Sequence, residues 1–238
     1  MPSSKIRSLI IRALAPLRWA VRFELQRHKD IDLQDIPGQL QREALAETAA
    51  YVKQHMLRVD SVDCPLKVLT FALGQVQHKD GLYLEFGVFS GRTINHAAGQ
   101  IAGRIYGFDS FEGLPERWRD GLGAGHFKVN TLPAVKSNVT LIKGWFDQTL
   151  PEFLKEHPGD AAFIHVDCDL YSSTKIIFDC LASRIKPGTI MVFDEYFNYP
   201  GWQEDEHKAL QEFVARTGMS YEYLCYHRNS QQVCIRML

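Results

Sequence analysis

The 238-residue sequence contains no apolar run long enough to cross a bilayer as a helix, so a membrane-spanning helical class is excluded. It has no Cys-x-x-Cys pair. Its five cysteines, Cys64, Cys168, Cys180, Cys225 and Cys234, are scattered. An odd number without metal-ligand spacing reads as free thiols in a reducing compartment, most simply as small buried apolar residues. The N-terminus lacks the short apolar core and small-residue cleavage site of a secretory signal, which makes the cytoplasm the expected location. Net charge is only −1, and no basic stripe appears outside the first thirty or so residues, which argues against a nucleic-acid partner. There are no internal repeats and no low-complexity tracts. What is present is an ordinary globular composition: 45% apolar and 23% charged residues, enough to bury a continuous core.

Residues 4 to 29 have helical periodicity, with Ile6, Leu9, Ile10, Ala13, Leu14, Leu17, Ala20, Val21 and Leu25 recurring. Lys5, Arg7, Arg12, Arg18, Arg22, Arg27 and Lys29 oppose only Glu24, and Pro16 is expected to kink or break the helix. Two outcomes stay open: a basic amphipathic helix lying peripherally on an anionic membrane, or one packing on its own domain or on a second subunit in a homo-oligomer. Helices over about 39–57 and 65–77 complete an N-terminal helical extension, residues 1–78.

From Gly81 short apolar strands alternate with helices. Strands are expected at Leu82–Phe86, Arg104–Phe108, Val139–Lys143, Ala161–Val166 and Thr189–Phe193. The intervening helices fall at Thr93–Ile101, about Ser172–Arg184 and about Glu204–Thr217. The ending, Tyr221–Tyr226, a turn, then Gln232–Met237, reads as an antiparallel pair. Residues 79–238 are therefore an α/β, Rossmann-like doubly wound sheet of about seven strands, mostly parallel with an antiparallel C-terminal strand.

Glu85-Phe86-Gly87-Val88-Phe89-Ser90-Gly91-Arg92-Thr93 spans the first strand-to-helix turn. Gly87 permits a sharp turn, and Gly91 lets backbone approach a ligand. The helix N-terminus favours a carboxylate or phosphate. The spacing is not the G-x-G-x-x-G of dinucleotide binders, which counts against a nicotinamide oxidoreductase. An acid followed by a helix start suits a zwitterionic amino-acid end, with Thr93 as a hydroxyl donor. Asp109, at the end of the second strand, is placed to bind ribose hydroxyls, with Ser110 beside it. Gly144-Trp145-Phe146 walls an adenine pocket or is an ordinary aromatic cluster.

Asp167, at the end of the fourth strand, and Asp194 with Glu195, after the fifth, lie at one sheet edge. Clustered carboxylates are costly without a cation, and oxygen ligands suit Mg²⁺, Mn²⁺ or Ca²⁺. The bland alternative is that Asp167 or Asp169 caps the next helix. By strand alternation His165 points away from the neighbours of Asp167, and it is read as a buried, hydrogen-bonded core residue. The aromatic loop Phe197–Trp202 suits a sugar ring or serves packing.

Together, Leu84 to Gly91, Gly107-Phe-Asp-Ser-Phe-Glu-Gly-Leu-Pro115, Gly144-Trp-Phe146, Asp167-x-Asp169-x-Tyr171-x-Ser173 and Asp194-Glu-Tyr196 resemble the macrocin O-methyltransferase family. The match covers roughly residues 80 to 217. A more distant similarity is to catechol O-methyltransferase. The resemblance implies S-adenosylmethionine as methyl donor, held by Glu85, Gly87 and Thr93 at its methionine end and by Asp109 at the ribose. It implies Mg²⁺ on Asp167, Asp194 and Glu195, and a sugar or related small-molecule hydroxyl as acceptor. Two departures stand out. Glu195 replaces a usual aspartate, and Leu170 stands where the catechol enzymes have a lysine base. The base is then Asp169, beside the acids, or His126. Rival functions are a metal-independent small-molecule methyltransferase and a non-catalytic cofactor-binding scaffold at a membrane or partner. The loop Glu116–Ser137, where acceptors are chosen, carries no resemblance.

Overall fold

The computed structural model describes residues 13–32 and 34–238. The chain divides into two compact units, one ending at Glu43 and one spanning Ala44–Leu238. In the first, α1 (Ala15–Asp32) carries Pro16 in its opening turn, where proline is tolerated, and a turn at Leu14 separates it from the helical residue Ala13, a break of the kind expected at Pro16. The part of the expected helix before Ala13 lies outside the described residues. Trp19 stacks on Phe23 at 5.4 Å, and Leu17, Val21 and Leu25 are exposed. Helix α2 (Ile36–His55) begins where Asp35 Oδ1 accepts the Gly38 amide at 3.1 Å.

The second unit starts earlier than the boundary expected after residue 78, for two reasons. A three-residue strand, β1 (Asp60–Val62), pairs parallel with the far C-terminal part of the sheet, and α3 (Pro65–Gln75) buries Val68, Leu69 and Ala72. Residues 44–78 thus belong to the sheet's own core. The remaining elements are β2 (Leu82–Phe86), α4 (Arg92–Ala98), β3 (Ile105–Asp109), β4 (Val139–Lys143), α5 (Phe146–Glu156), β5 (Ala161–Val166), α6 (Tyr171–Leu181), β6 (Ile190–Phe193), α7 (Glu206–Thr217), β7 (Tyr221–His227) and β8 (Val233–Met237). They form one eight-stranded sheet in the order β1-β7-β8-β6-β5-β2-β3-β4, in which β8 alone runs antiparallel to its neighbours. β1 and α5 are the elements that periodicity did not show. The first is only three residues long, and the second carries Pro151 inside it.

Two apolar clusters line the two faces of the sheet. One gathers Phe86, Phe108, Ile164, Val166, Phe178 and Phe213; the other gathers Leu69, Tyr83, Ile94, Ile105, Phe163 and Val192. This alternation follows from the period of two along each strand. The strand order reverses about β2, which lies between β3 and β5. The carboxyl ends of β2, β3, β5 and β6 therefore open one crevice, the place where ligands bind in such sheets. Among the described residues, no helix is long and apolar enough to cross a membrane.

Gly107 in β3 is what lets α4 lie close to the sheet. A Cβ there would overlap Ile94 Cδ1 and Val88 Cγ2. Gly107→Ala is expected to cost about 1–3 kcal/mol through overpacking, lowering Tm by about 2–4 °C per kcal/mol in a unit of this size. A thermal melt followed by circular dichroism checks this.

Candidate active site

A cavity of about 760 Å³ occupies the crevice. Its lining includes Gly87, Val88, Phe89, Ser90, Arg92, Thr93, Asp109, Ser110 and Trp145, together with Asp167, Asp169, Asp194 and Glu195. One hollow therefore joins the turn after β2 to the acids after β5 and β6. Of the residues expected to hold the cofactor, Glu85, Phe86, Gly91 and Gly144 lie behind the cavity wall. Phe86 stacks on Phe108 at 5.0 Å in the core. Gly91 opens α4 with φ 77°, and Gly144 has φ 143° and donates its amide to the Asp109 carbonyl at 3.0 Å. Gly87, with φ 93°, passes so close to β5 that a Cβ would collide with the Asp167 carbonyl oxygen.

Asp109 does more than face the cavity. Its Oδ2 accepts the amides of Val88 and Phe89, both at 2.8 Å, and its Oδ1 accepts the Phe111 amide at 2.6 Å. The carboxylate therefore shapes the turn after β2. Phe89, with φ 44°, is held in the left-handed region at that turn.

Glu85 is fully buried and takes hydrogen bonds from Thr93 Oγ1 and His165 Nδ1, both at 3.0 Å. The pairing follows from register, because Glu85 lies opposite His165 across β2 and β5. The other ring nitrogen, Nε2, lies 3.6 Å from Asp194 Oδ1. His165 is thus buried and hydrogen-bonded as expected, but it also bridges the acid of the cofactor turn to the acid after β6. Burial alone would lower its pKa. The hydrogen bonds and charges of Asp194 and Glu85 outweigh burial and hold the imidazole well above its ordinary value. Nε2 is buried without a hydrogen-bond partner, so beside Asp194 it is either a charge partner of that acid or a nitrogen open to a metal.

His165, Asp167 and Asp194 each bring one ligand-type atom within 4.8 Å of the others. Glu195 is outside that tight cluster, although its Oε2 is buried with no hydrogen-bond partner. Burial and the charge of Asp194 push the Asp167 carboxyl well above its usual range. Burial, Asp194 and Asp169 do the same to Glu195. Burial disfavours the Asp194 anion too, but His165 and the 2.9 Å hydrogen bond from Gln232 Nε2 bring its pKa below the ordinary value. Carboxylates lifted in this way fit a divalent cation. Each lift comes first from burial and then from neighbouring negative charge, and a cation offsets both. Asp167, Asp194 and the unpartnered Glu195 supply oxygen donors of the hard kind.

Asp169 sits in the turn between β5 and α6 with φ 66° and is 8% exposed. It does not cap α6, whose N-cap is Leu170 with no side-chain bond. Burial lifts its pKa to about 7, against the lowering pull of Arg119. His126, the alternative base, is exposed, packs against Phe127 and does not line the cavity. The loop Phe197–Trp202 offers no ring to a ligand: Phe197, Tyr199 and Trp202 are 1%, 1% and 3% exposed and belong to the core. Three of the five cysteines, Cys168, Cys225 and Cys234, are buried, and Cys64 and Cys180 are half-buried.

The sequence missed His165 as a bridge, Gln232, Glu206 and Arg119. Glu206 is fully buried at the start of α7 and accepts the Glu195 amide at 3.1 Å. Gln232 and Glu206 come from elements far along the chain, where no local pattern marks them. Arg119 lies in the loop that carries no motif.

Residues 84–196 match the family described as a methyltransferase domain. A curated relative from Streptomyces olivaceus is 32% identical over 141 residues. It is 8-demethyl-8-(2,3-dimethoxy-alpha-L-rhamnosyl)-tetracenomycin-C 4'-O-methyltransferase. The match covers 49% of this chain and 53% of the relative, so the chain spans about half the length of the relative it matches. The calicheamicin methyltransferase CalS11 shares the fold, at TM-score 0.57, 24% identity, 72% of this chain and 77% of that one. An apo structure of CalS11, described as a TDP-rhamnose 3'-O-methyltransferase, gives TM-score 0.52 and 23% identity over 72% and 78% of the chains.

Because Asp109 fixes two amides of the turn after β2 and one of its own loop, Asp109→Ala is expected to weaken S-adenosylhomocysteine binding. Loss of charge-assisted hydrogen bonds of about 1.5–3 kcal/mol corresponds to roughly tenfold to hundredfold in Kd. Isothermal titration calorimetry measures it.

Proposed function

We propose that the protein is an S-adenosylmethionine-dependent, metal-assisted O-methyltransferase whose acceptor is a hydroxyl of a sugar or related natural product. The observation that carries this reading is the single cavity shared by the turn after β2 and the acids after β5 and β6. The methyl donor would bind along Gly87–Thr93, with Asp109 and Ser110 on the ribose side and Trp145 beside the base. Asp167, Asp194 and Glu195 would hold the cation. When bound, such a cation lowers the pKa of a coordinated hydroxyl and orients it. The sugar acceptor named for the Streptomyces relative supports the choice of acceptor class.

This chain's own residues supply the rest. The acids bring the acceptor oxygen into line with the donor methyl, which is where proximity gives most of its advantage. Asp169 takes the hydroxyl proton. With a pKa of about 7 it is ionised over the upper half of the physiological range and protonated below it. His165 holds Asp194 from behind, as outer partners of metal ligands do.

Two experiments test the reading. Methyl transfer, followed by release of S-adenosylhomocysteine over a panel of sugar and natural-product acceptors, should stop in excess EDTA and return with Mg²⁺ or Mn²⁺. Full activity in EDTA with no retained ion would refute the metal. A panel with no methylated sugar but a methylated catechol would refute the sugar and leave the metal standing.

The second is the pH profile. In the wild type kcat/KM should rise as pH passes through about 7, because the raised carboxyl of Asp169 must lose its proton to act. Asp169→Asn should lose about 10²–10⁴-fold near neutrality and recover in part in alkali, where the acceptor ionises unaided. A wild-type profile in the variant removes Asp169 from the mechanism.

A further inference from the structure

The acceptor end of the cavity contains a device that the reaction outlined above does not use. Arg119 lines the cavity in the loop between β3 and β4. Its guanidinium carbon lies 3.4 Å from the centre of the Trp118 ring and 4.4 Å from that of Tyr199. Both rings are themselves tethered to one carboxylate. Trp118 Nε1 donates to Asp205 Oδ2 at 3.1 Å, and Tyr199 Oη donates to the same oxygen at 3.0 Å. The loop is closed behind the arginine by reciprocal backbone bonds, Trp118 N to Leu122 O and Leu122 N to Arg119 O, both at 3.0 Å. A guanidinium packed against aromatic faces can give hydrogen bonds only from its edge.

That edge is not used up within the protein. Arg119 Nε is buried and has no hydrogen-bond partner, and Arg119 makes no salt bridge among the described residues. A buried donor left unpaired is costly; Nε itself is closed to a ligand, so the fork's terminal nitrogens, which have no hydrogen-bond partner among the described residues, are the ones a ligand oxygen would meet. The clamp also removes the side-chain entropy that a free arginine would lose on binding, which is the meaning of preorganisation here. The charge around it selects the ligand. Asp169, Glu195 and Asp205 all act electrostatically on Arg119, so an anionic acceptor group would enter a field of carboxylates. Neutral hydroxyl and ring oxygens accept from the fork without that repulsion, while the neighbouring carboxylates accept from the hydroxyl protons. Arginine, carboxylates and an aromatic plate together suit a neutral polyol.

We propose that Arg119, clamped between Trp118 and Tyr199, is an acceptor-binding and specificity-determining residue that donates hydrogen bonds to the oxygens of a neutral sugar acceptor beside Asp167, Asp194 and Glu195. The assignment rests on the sugar-acceptor reading given above.

The test is binding, not turnover. Wild type, Arg119→Lys, Arg119→Met and Trp118→Phe are saturated with S-adenosylhomocysteine and Mg²⁺. They are then titrated with methyl glycosides of common hexoses and 6-deoxyhexoses, read by saturation-transfer NMR. Wild type should bind at least one glycoside. Arg119→Met should weaken it at least tenfold and Arg119→Lys less, since lysine keeps the charge but loses the planar fork. Trp118→Phe keeps a ring but loses the Asp205 tether, and should fall between Arg119→Lys and wild type. Affinity for S-adenosylhomocysteine should stay within twofold throughout, which reports an intact fold. Equal glycoside binding by wild type and both Arg119 variants overturns the assignment of Arg119 and leaves the acceptor class standing. A wild type that binds S-adenosylhomocysteine but no glycoside overturns the sugar acceptor, and the role of Arg119 with it.

Discussion

The crowding of carboxylates at the carboxyl edge of the sheet is the constraint on which the rest of the site depends. Glu85, Asp167, Asp169, Asp194, Glu195 and Glu206 converge there, and Glu85, Asp169 and Glu206 are buried outright. Burying charge of one sign is expensive, and proteins meet the cost by protonation, by pairing or with a cation. All three responses are visible. Asp167, Glu195 and Glu206 are driven upward in pKa, chiefly by burial. Asp194 is kept ionised by His165 and Gln232 despite its burial. Arg119 brings a positive charge into the same space from the loop between β3 and β4.

His165 links this crowding to the cofactor turn. One ring contacts Glu85 through Nδ1 and Asp194 through Nε2, and Glu85 in turn accepts from Thr93 at the start of α4. The turn after β2 and the acid after β6 are therefore joined through His165, by hydrogen bonds on the Glu85 side and by a 3.6 Å ion-pair contact on the Asp194 side. On the other side, Asp109 gathers the amides of Val88, Phe89 and Phe111, so the turn's shape is set by a side chain from β3. Gly87 and Gly107 leave the space that these approaches need. The fold supplies strand ends, and the chemistry comes from what is attached to them.

Much of the fold was legible because parallel-sheet strands are short apolar runs between clear turn signals. β2, β4 and β5 fall where the apolar runs placed them, and β3 and β6 are offset by a residue at an end. β1 was not legible. Asp60-Ser61-Val62 has too few residues to show a period, and its strand character comes from pairing with β7, more than 150 residues away. The compact-unit division falls before Ala44 because the same long-range pairing ties residues 60–62 to the sheet. In the site, Asp167 and Asp194 were legible from their position at strand ends, and they do converge. Glu195 was expected on equal terms but lies outside the tight cluster. The aromatic loop Phe197–Trp202 was the weakest inference. Aromatic content says nothing about exposure, and here the rings are core. Asp109 faces the cavity as expected, but its three amide bonds depend on a loop conformation that no spacing reveals. Arg119 and Gln232 gain their meaning only from tertiary neighbours.

The central claim is that Asp167 and Glu195, whose carboxyls burial and neighbouring charge push above their usual range, are built to receive a divalent cation. Cation binding must then release protons. Calorimetric titration of Mn²⁺ into the protein saturated with S-adenosylhomocysteine measures this directly, when repeated at neutral pH in two buffers of different ionisation enthalpy. The account predicts a saturable site whose apparent enthalpy differs between buffers by an amount that reports proton release, and which is lost in Asp167→Asn. Absence of any saturable site in the wild type, or binding with no proton release, would contradict it.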